Sequence, residues 1–122
     1  MPVRWSGHHL HICSIYLPND STQQRQLFAD ALAPLAAGAA GRHLLWGSDF
    51  NFVPQPHLDR LGHPAGAPHP DLGTQQRWQQ ALPRLLDIYR VRHPGRCAFT
   101  YIHPWAASRL DRFYLSLPSS PA

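Results

Sequence analysis

Leu44-Leu45-Trp46-Gly47-Ser48-Asp49-Phe50-Asn51 begins as a short, bulky apolar run and ends in oxygen-bearing side chains. The run Leu44 to Trp46, bounded by Gly47, suits a buried strand. At a side-chain period of two, Asp49 and Asn51 point the same way while Phe50 turns into the core. A carboxylate beside a carboxamide suits a hard cation or an oriented water. Gly-Ser-Asp-Asn chemistry equally caps a turn, and the segment by itself leaves both readings open.

Working outward, the residues from His8 to Leu17 alternate Leu10, Ile12 and Ser14 against His11, Cys13 and Ile15, a strand pattern that stops at Pro18-Asn19-Asp20. His8, His9 and His11 offer imidazoles but no fourth ligand at metal spacing, so strand-edge histidines are the simpler reading. Ser21-Thr22-Gln23-Gln24 matches a capping box. The helix it opens carries Leu27, Phe28, Ala31, Leu32 and Leu35 on one stripe and should end near Gly38. Downstream, positions 52 to 72 read as a long loop with one ordered piece at His57 to Arg60. Thr74 is expected to cap a second helix with Trp78, Leu82 and Leu85 inward, broken by Pro83. Leu86 to Arg90 reads as a helical turn and Ala98 to Ile102 as a strand. In the stretch Arg109 to Ser116, Leu110, Arg112 and Tyr114 alternate with Arg109, Asp111, Phe113 and Leu115. A carboxylate at Asp111 on that second, mostly apolar face requires a partner or a sheet edge. The ion-pair reading gives it Arg109 or Arg112.

A chain of 122 residues fits one domain. It has no apolar run long enough for a membrane helix and no signal-peptide opening, which points to an intracellular protein without a membrane partner. Cys13 and Cys97 are too few for a disulfide framework and read as reduced, buried thiols. All eleven basic residues are Arg and all seven acidic residues are Asp, so no mechanism that needs a Glu or a Lys can be completed here. The net charge of +4 suits a polyanionic partner, and Arg suits phosphate. Nothing in the sequence argues for an oligomer.

The order of these pieces is more specific than any one of them. Tyr16-x-Pro18-Asn19 follows a strand; a helix leads to Asp49-x-Asn51; then come Leu58-Asp59-Arg60, Leu86-Asp87-x-Tyr89-Arg90, His93-Pro94, Phe99-Thr100-Tyr101 and Ser108-Arg109-Leu110-Asp111-Arg112. From His8 to Ser116 this resembles the endonuclease/exonuclease/phosphatase superfamily, the DNase I-like proteins. It looks most like the apurinic-type endonuclease domain of non-LTR retrotransposons. The resemblance implies an α/β (α+β) sandwich of two mainly antiparallel sheets covered by helices, and Mg²⁺-dependent cleavage of DNA. It implies that Asp49 orients or deprotonates the attacking water, with Asn51 and Tyr16 at the scissile phosphate. Asp111 would hold the family's catalytic histidine, and Asn19, Thr100 and Arg109 would bind substrate. A eukaryotic retroelement would place the protein in the nucleus.

The resemblance also has gaps. The family's metal-binding glutamate, carried on an early strand, has no counterpart, nor has the closing Ser-Asp-His segment that supplies the catalytic histidine. The expectation is therefore a single partial domain over residues 1–122, with a flexible tail at 117–122. It would lack the first strands and the closing segment, be inactive alone, and pair with the missing remainder of the domain. An apolar sheet face left open near Ile12, Leu45 and Phe113 is the structural sign of such a piece. The alternatives are a noncatalytic nucleic-acid-binding remnant and a phosphatase-type member of the same superfamily.

Overall fold

The computed structural model describes residues 2–5, 8–39, 41–62 and 71–116, with side chains from Leu10 onward. In chain order the elements are strands β1 (Pro2–Trp5) and β2 (His8–Tyr16), helix α1 (Ser21–Leu27), a π-helical turn (Phe28–Leu32), helix α2 (Ala33–Gly38) and strand β3 (His43–Asp49). Next come α3 (Pro56–Asp59), β4 (Arg60–Leu61), α4 (Asp71–Ala81), β5 (Leu86–Asp87), α5 (Ile88–Arg92), β6 (Tyr101–His103), β7 (Ala106–Ser108) and β8 (Asp111–Ser116). Five strands form one sheet in the order β1-β2-β3-β8-β5, and three form another in the order β4-β7-β6. Among the described residues, β2 and β3 pair in parallel and the other pairings are antiparallel. A parallel neighbour requires a crossover, which α1, the π turn and α2 supply. The result is a mixed α/β architecture with two sheets and a few helices.

One face of the large sheet carries the core. His11, Cys13 and Ile15 of β2, Leu44 and Trp46 of β3, and Arg112 and Tyr114 of β8 face the helices. Phe28, Leu32, Trp78, Leu82 and Leu85 meet them. The centre is aromatic: Trp78 lies edge-on to Phe28 at 5.2 Å and to Phe50 at 5.5 Å between ring centroids, and 4.8 Å from Tyr114. Edge-to-face packing of this kind adds to the burial of large apolar area. The imidazole of His11 accepts from the Trp46 indole N–H at 3.2 Å, so it is a satisfied core group and not a ligand. Burial, with the positive charge of Arg42, holds its pKa below the ordinary value.

The opposite face is only partly covered by the described residues. Phe113 is 60% exposed, and Ile12, Leu45 and Leu115 are half-buried. Phe113 lies across Gly47, where an added Cβ would meet the ring and force it to shift. A concavity of about 890 Å³ opens on this side, lined among others by Leu45, Ile88, Tyr89, Ala98 and Phe113.

Several local expectations are corrected. The cap of α1 is Asp20, whose carboxylate accepts from the Gln23 N–H at 3.0 Å, and not Ser21. Gln24 turns inward to donate to the carbonyls of Pro18 and Asn51. The π turn puts an extra residue into the helix and rotates the succeeding residues about its axis, so Ala36 packs on the core while Leu35 lies outside; Leu27, before the turn, is exposed as well. Thr74 does not cap α4 but is buried within it, because the helix begins at Asp71. Leu86 and Asp87 pair with β8 as a short strand before the helical turn. The strand expected over Ala98 to Ile102 starts at Tyr101 and forms a hairpin with β7. The inward face of β8 is that of Arg112 and Tyr114, which leaves Asp111 exposed. Cys97 is exposed as well. The tail at 117–122, and most of the loop after Gly62, lie outside the described residues.

Trp78 touches four other rings of the core, so its truncation leaves a large cavity. Trp78→Ala should lower the stability read by urea unfolding by about 3–5 kcal/mol. Val91→Ala, at a surface position, should stay within about 0.5 kcal/mol of the parent.

Candidate functional site

The ladder aligns three of the side chains singled out by sequence. Tyr16, the last residue of β2, pairs with Asp49, the last of β3, and Asp49 pairs with Asp111, the first of β8. Opposed residues of a ladder share a face, so a phenol and two carboxylates stand at one level of the sheet. Tyr16 is 75% exposed, Asp111 is exposed and Asp49 is half-buried. No ion pair to Asp111 occurs among the described residues. The guanidinium groups expected as its partners, those of Arg109 and Arg112, are engaged elsewhere.

The backbone around Asp49 is bent by two residues of positive φ, Ser48 at 121° and Asn51 at 52°. Asn tolerates the left-handed region, whereas Ser at such a φ carries strain of order 1–3 kcal/mol. Pairing on both sides, to Ile15 and to Arg112, holds Ser48 there. Beyond the strand, Asp49 Oδ1 accepts from the Asn51 N–H at 2.9 Å, the hydrogen bond of an Asx turn. The turn reading of this segment is therefore present in the structure. Strict alternation fails at Asn51, whose side chain donates back to the Leu17 carbonyl. Asn51 and Asn19 line a cleft of about 460 Å³ together with Arg60, Tyr101, His103 and Ser108.

Thr100 fixes the backbone at Asp111, and Arg109 is anchored two residues before it. The Thr100 hydroxyl accepts from the N–H groups of Leu110 and Asp111, each at 3.0 Å. Arg109 is only 2% exposed and is gripped by Asp59 (Nε, 2.8 Å) and Asp87 (Nη2, 2.6 Å). Arg90 also pairs with Asp59. Two arginines and two aspartates thus form one buried network linking α3, α5 and the approach to β8. Burial alone would raise the Asp59 carboxyl, but the hydrogen bond and charge of Arg109 override it and hold the pKa below the usual carboxylate range. The same hydrogen bonds outweigh burial at Arg109 and raise it.

Sequence reasoning missed two residues that build this site. Gln24 ties the turn after Tyr16 to the turn after Asp49, and Arg112 donates to the Phe52 carbonyl just after Asn51 and to the Arg109 carbonyl just before Asp111. Gln24 matched a capping pattern that hid its tertiary role. Arg112 carried a signal, a charge alternating in phase with Tyr114 on an inward face.

For the Mg²⁺ that the resemblance implies, this level of the sheet offers two carboxylates, those of Asp49 and Asp111, and so only part of a ligand set. Among the described residues no three His, Cys or Asp side chains come together as a metal cluster. One oxygen of Asp49 is already occupied by its turn. Also among the described residues, no helix is long and apolar enough to cross a membrane.

No family model matches this chain. Over 118 residues it is 26% identical to the "Transposon TX1 uncharacterized 149 kDa protein" of Xenopus laevis, a match covering 93% of this chain and 9% of that protein. The chain is similar to part of a transposon protein. The chain spans about a tenth of that relative's length.

Breaking the buried network should be costly, because it leaves guanidinium charge unpaired. Asp59→Asn is expected to lose about 3–5 kcal/mol in urea unfolding near neutral pH. A carboxyl held low in the folded state stabilises fully above the ordinary carboxylate range, and that stability is lost as pH falls through the native value. Urea midpoints measured from neutral pH down to about pH 3 should therefore fall less steeply in Asp59→Asn than in the parent.

Proposed function

We propose that this chain is a fragment of a retroelement-type, metal-dependent DNA endonuclease domain of DNase I-like fold, inactive by itself. One observation carries the reading: Tyr16, Asp49 and Asp111 end or begin three neighbouring strands at the same level of the sheet. Similarity to part of a transposon protein supports the retroelement branch. The partly open apolar face at Phe113, Leu45 and Ile12 is what a second sheet of a sandwich would cover.

In that reading each group has a task suited to its chemistry. Asp49 orients a water toward phosphorus and accepts its proton, since water is a poor nucleophile until a base helps it. The Tyr16 phenol and the remaining Asn51 amide proton donate to phosphate oxygens, where negative charge gathers as the bond breaks. Asp111 has the role of orienting an imidazole, and that imidazole has no match in this sequence. No step is assigned to a metal ion.

The second reading, a noncatalytic nucleic-acid-binding remnant, draws on the incomplete ligand set and on the β6–β7 hairpin. There Trp105 is 85% exposed and Ile102 and Tyr101 stand open beside it. Exposed rings of this kind suit base stacking.

Amide shift mapping with a short DNA duplex separates the two. The nuclease reading expects shifts at Tyr16, Asp49, Asn51 and Asp111. Tyr16→Phe and Asn51→Ala should each weaken binding about fivefold, the worth of one hydrogen bond. Shifts confined to the hairpin or to Arg25 and Arg77 on the helices, with the row silent, would sink it in favour of the second reading. Supercoiled plasmid should stay intact with this chain and Mg²⁺. Nicking that Asp49→Ala abolishes would overturn the inactivity.

A further inference from the structure

Arg112 is a buried cation without a carboxylate. It is 4% exposed, and none of the ion pairs among the described residues includes it. Its Nη1 donates to the carbonyls of Phe52 at 2.6 Å, Arg109 at 3.2 Å and Leu110 at 3.3 Å, and its Nε donates to the Tyr114 hydroxyl at 2.9 Å. The guanidinium carbon lies 4.9 Å from the Phe50 ring centroid, 4.6 Å from that of Phe52 and 5.4 Å from that of Tyr114. Nη2 finds no hydrogen-bond partner among the described residues. Burying a charge is expensive unless several groups compensate it. Here three carbonyl dipoles, a phenol oxygen and three ring faces do so, a set that the planar, multiply donating guanidinium can satisfy and an ammonium cannot.

The acceptors are not a random selection. Phe50 and Phe52 flank Asn51, and the Phe52 carbonyl closes the turn that follows Asp49. Arg109 and Leu110 form the turn that leads into Asp111. The Phe50 N–H bonds the Leu110 carbonyl at 3.0 Å, so the two turns also touch directly. We infer that Arg112 is a positioning residue: its guanidinium clamps the turn carrying Asp49 and Asn51 to the turn carrying Asp111, and so sets the geometry of the whole row. The clamp itself rests on the hydrogen bonds of the guanidinium, and its consequence for phosphate binding rests on the nuclease reading.

Amide hydrogen exchange tests the clamp without DNA. In Arg112→Lys, which keeps the charge, and Arg112→Met, which keeps the stem, the Phe50 and Asn51 amides should exchange at least tenfold faster while Trp46 in the sheet centre changes far less. Equal acceleration at all three amides, or none at any, would overturn the inference, since a merely structural residue acts on the global equilibrium alone. Should Arg112→Met not fold, Arg112→Lys decides. The second arm adds a DNA duplex: the variant that folds should lose the shifts at Asp49, Asn51 and Asp111. A parent protein whose row is silent to DNA would refute the nuclease reading and leave the exchange result to judge the clamp.

Discussion

The pairing of β3 with β2 on one side and β8 on the other is the constraint that dictates the site. Because successive side chains alternate, a slip of one residue in either ladder would send every core side chain to the open face. Register is therefore fixed by burial: Trp46 and Leu44 must face the helices, as must Tyr114 on β8 and Ile15 on β2. Once those four are inside, the ends of the strands have no freedom left, and Tyr16, Asp49 and Asp111 arrive at one level. On the other face the Phe113 ring lies over Gly47, in space that an added Cβ would contest. The chemistry at the strand ends is thus set by hydrophobic burial several residues away.

Charge does the remaining work, and the composition shapes how. With Arg as the sole basic residue besides His, each internal cation is a planar fork able to hold several acceptors at once. Arg109 uses that fork to bridge Asp59 and Asp87, tying two short helices to the strand that bears Asp111. Arg60 does the same on a smaller scale, joining Asp71 at the start of α4 to Ser108 in the small sheet. Buried ion pairs are weak evidence for net stability, because desolvation offsets much of the attraction. Their value here is geometric: they connect elements too short to pack securely on apolar area alone.

How much of this could be read from the residues depends on the range of the interaction. β2, β3 and β8 were visible because alternation and β-branched or aromatic content are local signals, and Trp78, Leu82 and Leu85 were visible because helical period is local too. The Asp49-x-Asn51 pair was found, but its turn geometry was undecided, since strand alternation and Asx-turn chemistry share the same letters. β1 and β7 escaped, and β6 is read too early in the chain, because such short strands carry little period. The π turn escaped because nothing in Phe28 to Leu32 announces an inserted residue. Arg109 and Arg112 were judged as possible partners of Asp111, which is a guess about nearest neighbours in sequence. The structure resolves them through Asp59 and Phe52, residues fifty and sixty positions away, a distance no local pattern spans.

Under the proposed endonuclease reading, the incomplete ligand set and the partly open sheet face share one physical explanation. A site at the strand ends of a sandwich draws ligands from both sheets, and a sheet covered on one side only offers the ligands of its own strands. Here those strands provide two carboxylates and a phenol, with one carboxylate oxygen already bound within its own turn. On the same side of the sheet lie Phe113, Leu45 and Ile12, apolar groups that gain from being covered. A second layer that buried them would bring its own strand ends to the level of Tyr16, Asp49 and Asp111. Completing the core and completing the site would then be the same event, which is why the lack of a Glu in this sequence and the exposure of Phe113 belong to a single argument and not to two.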